Sequence, residues 1–178
     1  MKNIEEAIKN TFIELLNTHT IDEIDVQLIS DSLKIKRQTF YYHYKNIYDL
    51  VASIILDAQV EEIKSTNIEE IIDNVLKAYY KNAELYREIL SSSAHDILID
   101  ATYIYFSKSL VYYLEKTFNL SLDARKEISS FISHGISNVI IDYLKNENYE
   151  LEETKIKVKA FLNEETLKYI VEGYSKNN

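Results

Sequence analysis

The chain has no cysteine, no proline and no tryptophan, and only two glycines in 178 residues. Without cysteine there is no disulfide framework and no thiolate metal ligand. Without proline no helix is forced to kink or stop. Glycine and proline also punctuate hairpins and sheet turns. Their scarcity favours an all-α fold over a sandwich or barrel. There is no His-x-x-x-His or Glu-x-x-His pair, so no metal and no cofactor is expected. No uncharged apolar run approaches the ~20 residues of a membrane span. The opening MKNIEEAIKN carries acids where a signal peptide would be apolar. These absences lead to the expectation of a cytoplasmic protein without membrane contact. The length suffices to bury a core without staples.

What the chain does have is unevenly spread. The formal net charge is −9, which taken alone argues against nucleic acid. Residues 1–50 carry −2 of it and the remainder −7. Yet residues 33–45, LKIKRQTFYYHYK, hold Lys34, Lys36, Arg37 and Lys45 and no acid. Such an acidic body repels DNA non-specifically while one small patch attracts it.

Apolar spacing predicts about nine helices, three small ones first. Ile4, Ala7, Ile8, Phe12, Leu15 and Leu16 form one stripe over 3–18, with Asn3 as N-cap. Asp25 caps a short second helix whose face is Val26, Ile29 and Leu33. A turn at Lys34-Ile35 leads to a third helix, 36–43, with Phe40 facing the core. Asn46 caps a fourth, to about residue 63. Further runs cover 68–90, then 96–118 with an interruption near Thr102. Ser121 or Asp123 caps a helix over 123–146, and a final helix covers 151–174.

Residues 25–50 are the informative stretch. A helix-turn-helix needs a first helix that braces the second, a short turn, and polar residues opening the second helix toward base edges. Ile29, Leu33, Ile35 and Phe40 supply the bracing. Lys36, Arg37, Gln38 and Thr39 stand at the start of the second helix. Arg and Gln make bidentate bonds to guanine and adenine edges, and Thr meets a thymine methyl. Tyr41, His43 and Lys45 are suited to phosphates. The plainer alternative, a helical hairpin with solvated charges, fits less well with four bases and no acid among four aromatics.

On these residues the first fifty positions resemble the DNA-binding domain of TetR family transcriptional regulators. The family pattern is Thr-Val-x-x-Ile-Ala, followed by Val-Ser-x-x-Thr-Leu-Tyr-x-His-Phe-x-x-Lys-x-x-Leu. This chain answers with Val26, Ile29, Ile35, Thr39, Phe40, Tyr41, His43, Tyr44 and Leu50. It departs at the turn, where Leu33-Lys34 stands for a small Ala-Gly. It departs at Ile47, where the family has a phosphate-binding Lys that Lys45 is placed to replace. It departs again at Asp25, which can cap but repels phosphate. The resemblance implies an N-terminal helix-turn-helix DNA-binding domain, residues 1–46, and a helical effector-binding and dimerisation domain, residues 47–178. It implies a homodimer on a pseudo-palindromic operator in double-stranded DNA. It also implies a repressor released by a small-molecule effector. The string FYYHYKNIYDL further resembles a subgroup that includes regulators of dihydroxyacetone kinase operons. Some of that subgroup activate genes through a protein co-activator.

A palindrome requires a two-fold dimer. Of the last two predicted helices, 123–146 is apolar on more than one face and 151–174 carries apolar residues at about heptad spacing. They offer Phe131, Gly135, Val139, Leu167 and Ile170 as interface. Gly135 costs helix stability and is read as permitting close helix approach. Among 15 tyrosines, several fall in the middle helices, where the family holds its effector. Tyr joins apolar area to a polar tip, which suits a ligand pocket, although core and boundary packing is the commoner use of any one Tyr. Tyr103, Tyr112 and His134 are the candidate effector residues. An enzyme would need a nucleophile–base pair or a phosphate-binding glycine loop. Neither is present, so no catalytic residue is assigned. A helical adaptor without DNA binding is the other alternative to a regulator.

Overall fold

The computed structural model describes residues 2–58, 64–146 and 150–177. Among these residues it has no strand. In order the helices are α1 (Lys2–Leu15), α2 (Val26–Leu33), α3 (Arg37–His43), α4 (Ile47–Ala58), α5 (Ile68–Lys81), α6 (Ala83–Leu90), α7 (His95–Thr117), α8 (Leu122–Lys145), α9 (Leu151–Phe161) and α10 (Glu164–Asn177). A 3-10 turn covers Ile21–Glu23. Asn3, expected as a cap, falls inside α1, which begins at Lys2, and the extension of the fourth helix to about residue 63 lies outside the described residues. The same holds for most of the expected loop 146–150. The chain divides into two compact units. One comprises Met1–Ala58 and Glu84–Leu98, the other Gln59–Ala83 and Ile99–Asn178.

In the first unit, α1, α2, α3 and α4 close over Ile8, Phe12, Ile29, Phe40, Leu50 and Ile55, all fully buried. Side-chain caps fix where its helices begin. Asp25 accepts the Leu28 N–H at 2.7 Å and opens α2. Asn46 accepts the Asp49 N–H at 2.9 Å, and Asp49 accepts the Lys45 N–H at 3.0 Å, which opens α4. Each cap satisfies an otherwise orphaned donor. At the turn, Lys34 takes the left-handed conformation, φ 55° and ψ 39°. The Ile35 N–H returns to the Ser30 carbonyl at 2.9 Å. The turn therefore forms without glycine, at the steric cost a Cβ pays in that region.

In the second unit α5 packs on α9, and α8 packs on α9. Lys159 of α9 reaches Asp73 of α5 at 2.9 Å. Ile71, Val75, Tyr79, Phe106, Leu110, Ile140 and Leu144 build the core. Asn67 caps α5 through the Glu69 and Glu70 N–H groups. Ser121 caps α8 through the Ala124 N–H at 3.2 Å.

Three expected elements differ. The 68–90 run is two helices, broken at Asn82, whose side chain donates to the Ala78 carbonyl. The 151–174 run is also two, because Asn163 and Thr166 exchange backbone and side-chain hydrogen bonds at 3.0 Å and start α10 afresh. The 96–118 run is unbroken at Thr102. That residue is fully buried, and its hydroxyl accepts from Tyr79 at 2.8 Å. A satisfied hydroxyl gives the helix no reason to open.

Candidate nucleic-acid interface

The candidate recognition surface lies wholly in the first unit. Phe40 anchors α3 in the core, its ring 5.8 Å from Tyr41 and 5.7 Å from Tyr44. With the inner face so fixed, Lys36, Arg37, Gln38, Tyr41 and Lys45 are exposed, and Thr39 and His43 are half-buried. The structure thus brings all seven residues named from the sequence onto α3 and its flanks. Tyr42, also exposed, joins them, its ring 5.2 Å from His43. A cleft of about 370 Å³ is lined by Asp25 and Gln27 of the α2 start, Arg37 and Tyr41 of α3, and Asn46 and Ile47 of the α4 start. Asp22 also lines it, so two carboxylates share the cleft with the one guanidinium of Arg37, and the cleft itself is not a phosphate site.

Two networks had no local sign in the sequence. Arg37 Nε–H donates to Gln27 Oε1, and Gln27 Nε2 donates to Asp31 Oδ1 at 2.5 Å. Separately, Asp22 accepts the Ser93 backbone N–H at 3.1 Å and the Ser93 hydroxyl. A carboxylate only accepts, so the Ser93 proton goes to Asp22. Tyr48 then donates to Ser93 Oγ at 2.9 Å. Asp22, Tyr48 and Ser93 belong to the 3-10 turn, α4 and the α6–α7 turn. This contact fastens the 91–94 turn to the helix-turn-helix unit.

Ser93's hydroxyl and N–H hold the Asp22 carboxyl below its ordinary 3.8. A carboxyl with a depressed value stabilises above the unfolded value and loses that contribution as the pH falls through the folded one. The melting-temperature difference between the parent and Asp22→Asn is therefore expected in full at neutral pH and should shrink as the pH falls below 3.8 and through the lower folded value. A difference that persists undiminished in acid would assign the effect to something other than the carboxylate.

The second unit holds the other named residues. Tyr103 and His134 stack with centroids 4.2 Å apart, and Tyr103 OH donates to Ser130 Oγ at 3.1 Å. His134 Nδ1 donates to the Ser130 carbonyl at 2.7 Å. Tyr112 stands apart from this pair, with the Lys116 ammonium 5.4 Å from its ring centroid. Tyr105 is buried, and desolvation pushes its hydroxyl up to about 12. Phe131 and Gly135 are exposed, and Val139 and Ile170 half-buried. They line a groove of about 840 Å³ together with Phe161, which sequence reasoning missed. Leu167 is not in that groove. It is fully buried in its own unit. Heptad spacing alone could not tell which of its apolar positions turn to the chain's own core.

A TetR-type family model described as transcriptional regulator C-terminal region matches residues 66–164, more than half of the chain. The chain belongs to the TetR family of transcriptional regulators. That membership implies DNA binding and dimerisation. In fold the chain is similar to the solved structure of a protein named dihydroxyacetone kinase operon activator DhaS. The TM-score is 0.63 and the identity 17%, over 88% of this chain and 92% of that one. Comparison with curated protein sequences gives no match. Among the described residues, no helix is long and apolar enough to cross a membrane, and no cluster of His, Asp and Glu could hold a metal ion.

Proposed function

We propose that this regulator binds a pseudo-palindromic operator as a homodimer in the cytoplasm and represses transcription until a small effector releases it. The carrying observation is the exposed set Lys36, Arg37, Gln38 and Tyr41 on a short helix whose other face is locked by Phe40. Lys36–Thr39 meet base edges in the major groove, while Tyr41, His43 and Lys45 clamp the backbone. Residues 1–46 form the DNA-binding domain and 47–178 the effector and dimerisation domain. Exposed Phe131 and Phe161, with Gly135, Val139 and Ile170, meet their two-fold copies. Leu167, fully buried in its own unit, takes no direct part. Tyr103 and His134 are the effector contacts of choice, with Tyr112 as a more distant member. No catalytic role is assigned to any residue.

A second reading makes the protein an activator working through a protein co-activator. It is favoured by the name of the structural neighbour, an operon activator. Both readings share the DNA contacts. Lys45→Ala should weaken binding to all duplexes alike. It should lower the slope of log affinity against log salt by about one unit for every phosphate that each subunit no longer neutralises. An unchanged slope would remove Lys45 from the backbone contacts and leave the position of Ile47 uncompensated.

A further inference from the structure

Arg37 is the residue on α3 best suited to read a guanine, yet it does not stand free. Its Nε–H is donated to Gln27 Oε1 from across the helix-turn-helix. The Gln27 amide is itself held, because its Nε2 donates to Asp31 Oδ1 one helical turn further along α2. The two bonds fix the amide in one orientation. Oxygen must face the guanidinium, which has no acceptor, and nitrogen must face the carboxylate, which has no donor.

A guanidinium has five N–H donors and can address a pair of acceptors by its side, through Nε and one Nη, or end-on, through both Nη groups. With Nε committed to Gln27, only the end-on edge remains. Guanine presents O6 and N7 side by side in the major groove, which matches that edge. Asp31 closes the chain of bonds with a negative charge, so Arg37 carries less net pull on phosphates in general. Both effects favour a directed base contact over a diffuse ionic one.

We propose that Gln27, backed by Asp31, is a specificity-determining residue that restricts Arg37 to end-on recognition of one guanine in each half-site. This rests on the DNA-reading role of α3 proposed above.

The test is selection of duplexes from a random pool by the full-length chain, comparing the parent with Arg37→Ala, Gln27→Ala and the double exchange Gln27→Glu/Asp31→Asn. The double exchange keeps the net charge and swaps amide and carboxylate. An acceptor for Arg37 and a donor behind it both survive. The parent should enrich a guanine that Arg37→Ala loses. Gln27→Ala should still bind, with the same salt dependence, but its preference for that guanine should fall about tenfold. The double exchange should restore the preference. The inference is overturned if Gln27→Ala keeps full stringency, if it weakens all duplexes alike, or if the exchange does not restore the guanine. It is also overturned if Arg37→Ala selects the parent's consensus. A parent that selects no sequence at all would instead overturn the DNA-reading role, and this inference with it.

Discussion

A chain carrying Phe131→Asp is expected to sediment as a monomer and to lose about 10²–10⁴-fold in operator affinity, because two tethered half-site readers become one. Phe131 and Phe161 are each 78% exposed, an unusual fate for two phenylalanines beside one apolar groove. Across a two-fold axis the same patch meets itself, so one substitution places two carboxylates in the contact. Gly135 sharpens the experiment. A Cβ built there meets nothing within 4 Å. Gly135→Leu should therefore leave the fold of the single chain intact while obstructing the partner. A dimer undisturbed by either change would place the interface on another surface.

The second large effect is on stability. Phe40→Ala should destabilise the first unit by about 3–5 kcal/mol, the range for emptying a buried aromatic site. Phe40 is 0% exposed and touches the rings of Tyr41 and Tyr44, so its loss also frees α3 from the angle at which it is held. DNA binding should disappear at temperatures where the parent still binds. Tyr42, two residues on, is 71% exposed, and Tyr42→Ala should change stability by no more than about 0.5 kcal/mol. Thermal unfolding followed by circular dichroism separates the two. Equal effects would mean that the inward face of α3 has been misassigned.

Much of this architecture is written locally. Asp25, Asn46 and Ser121 announce helix starts because a short polar side chain can reach a backbone N–H only three positions away. Phe40 announces the inner face of α3 because its neighbours are basic or hydroxylated. The breaks at Asn82 and Asn163 are harder to read, since apolar periodicity continues through both. What ends each helix there is one Asn side chain bonding back to, or capping, the chain. The contacts that shape the site are less legible still. Ser93 meets Asp22 across 71 positions, and Arg37 meets Gln27 across ten. No spacing rule links such pairs, and only the packed fold brings them together. Leu167 illustrates the remaining ambiguity. Heptad spacing finds the apolar positions of that run and does not say which of them turn to the chain's own core and which to a partner.

If α3 reads duplex DNA in a specific sequence, the genome itself supplies the test. Genomic fragments selected by the purified full-length chain should share a pseudo-palindrome with half-sites about one helical turn apart. Titration of one such fragment should show affinity falling steeply and linearly with log salt, and a scrambled fragment should bind at least ~10³-fold more weakly. Selection without a shared sequence, and equal binding to both fragments, would contradict sequence-specific reading by α3.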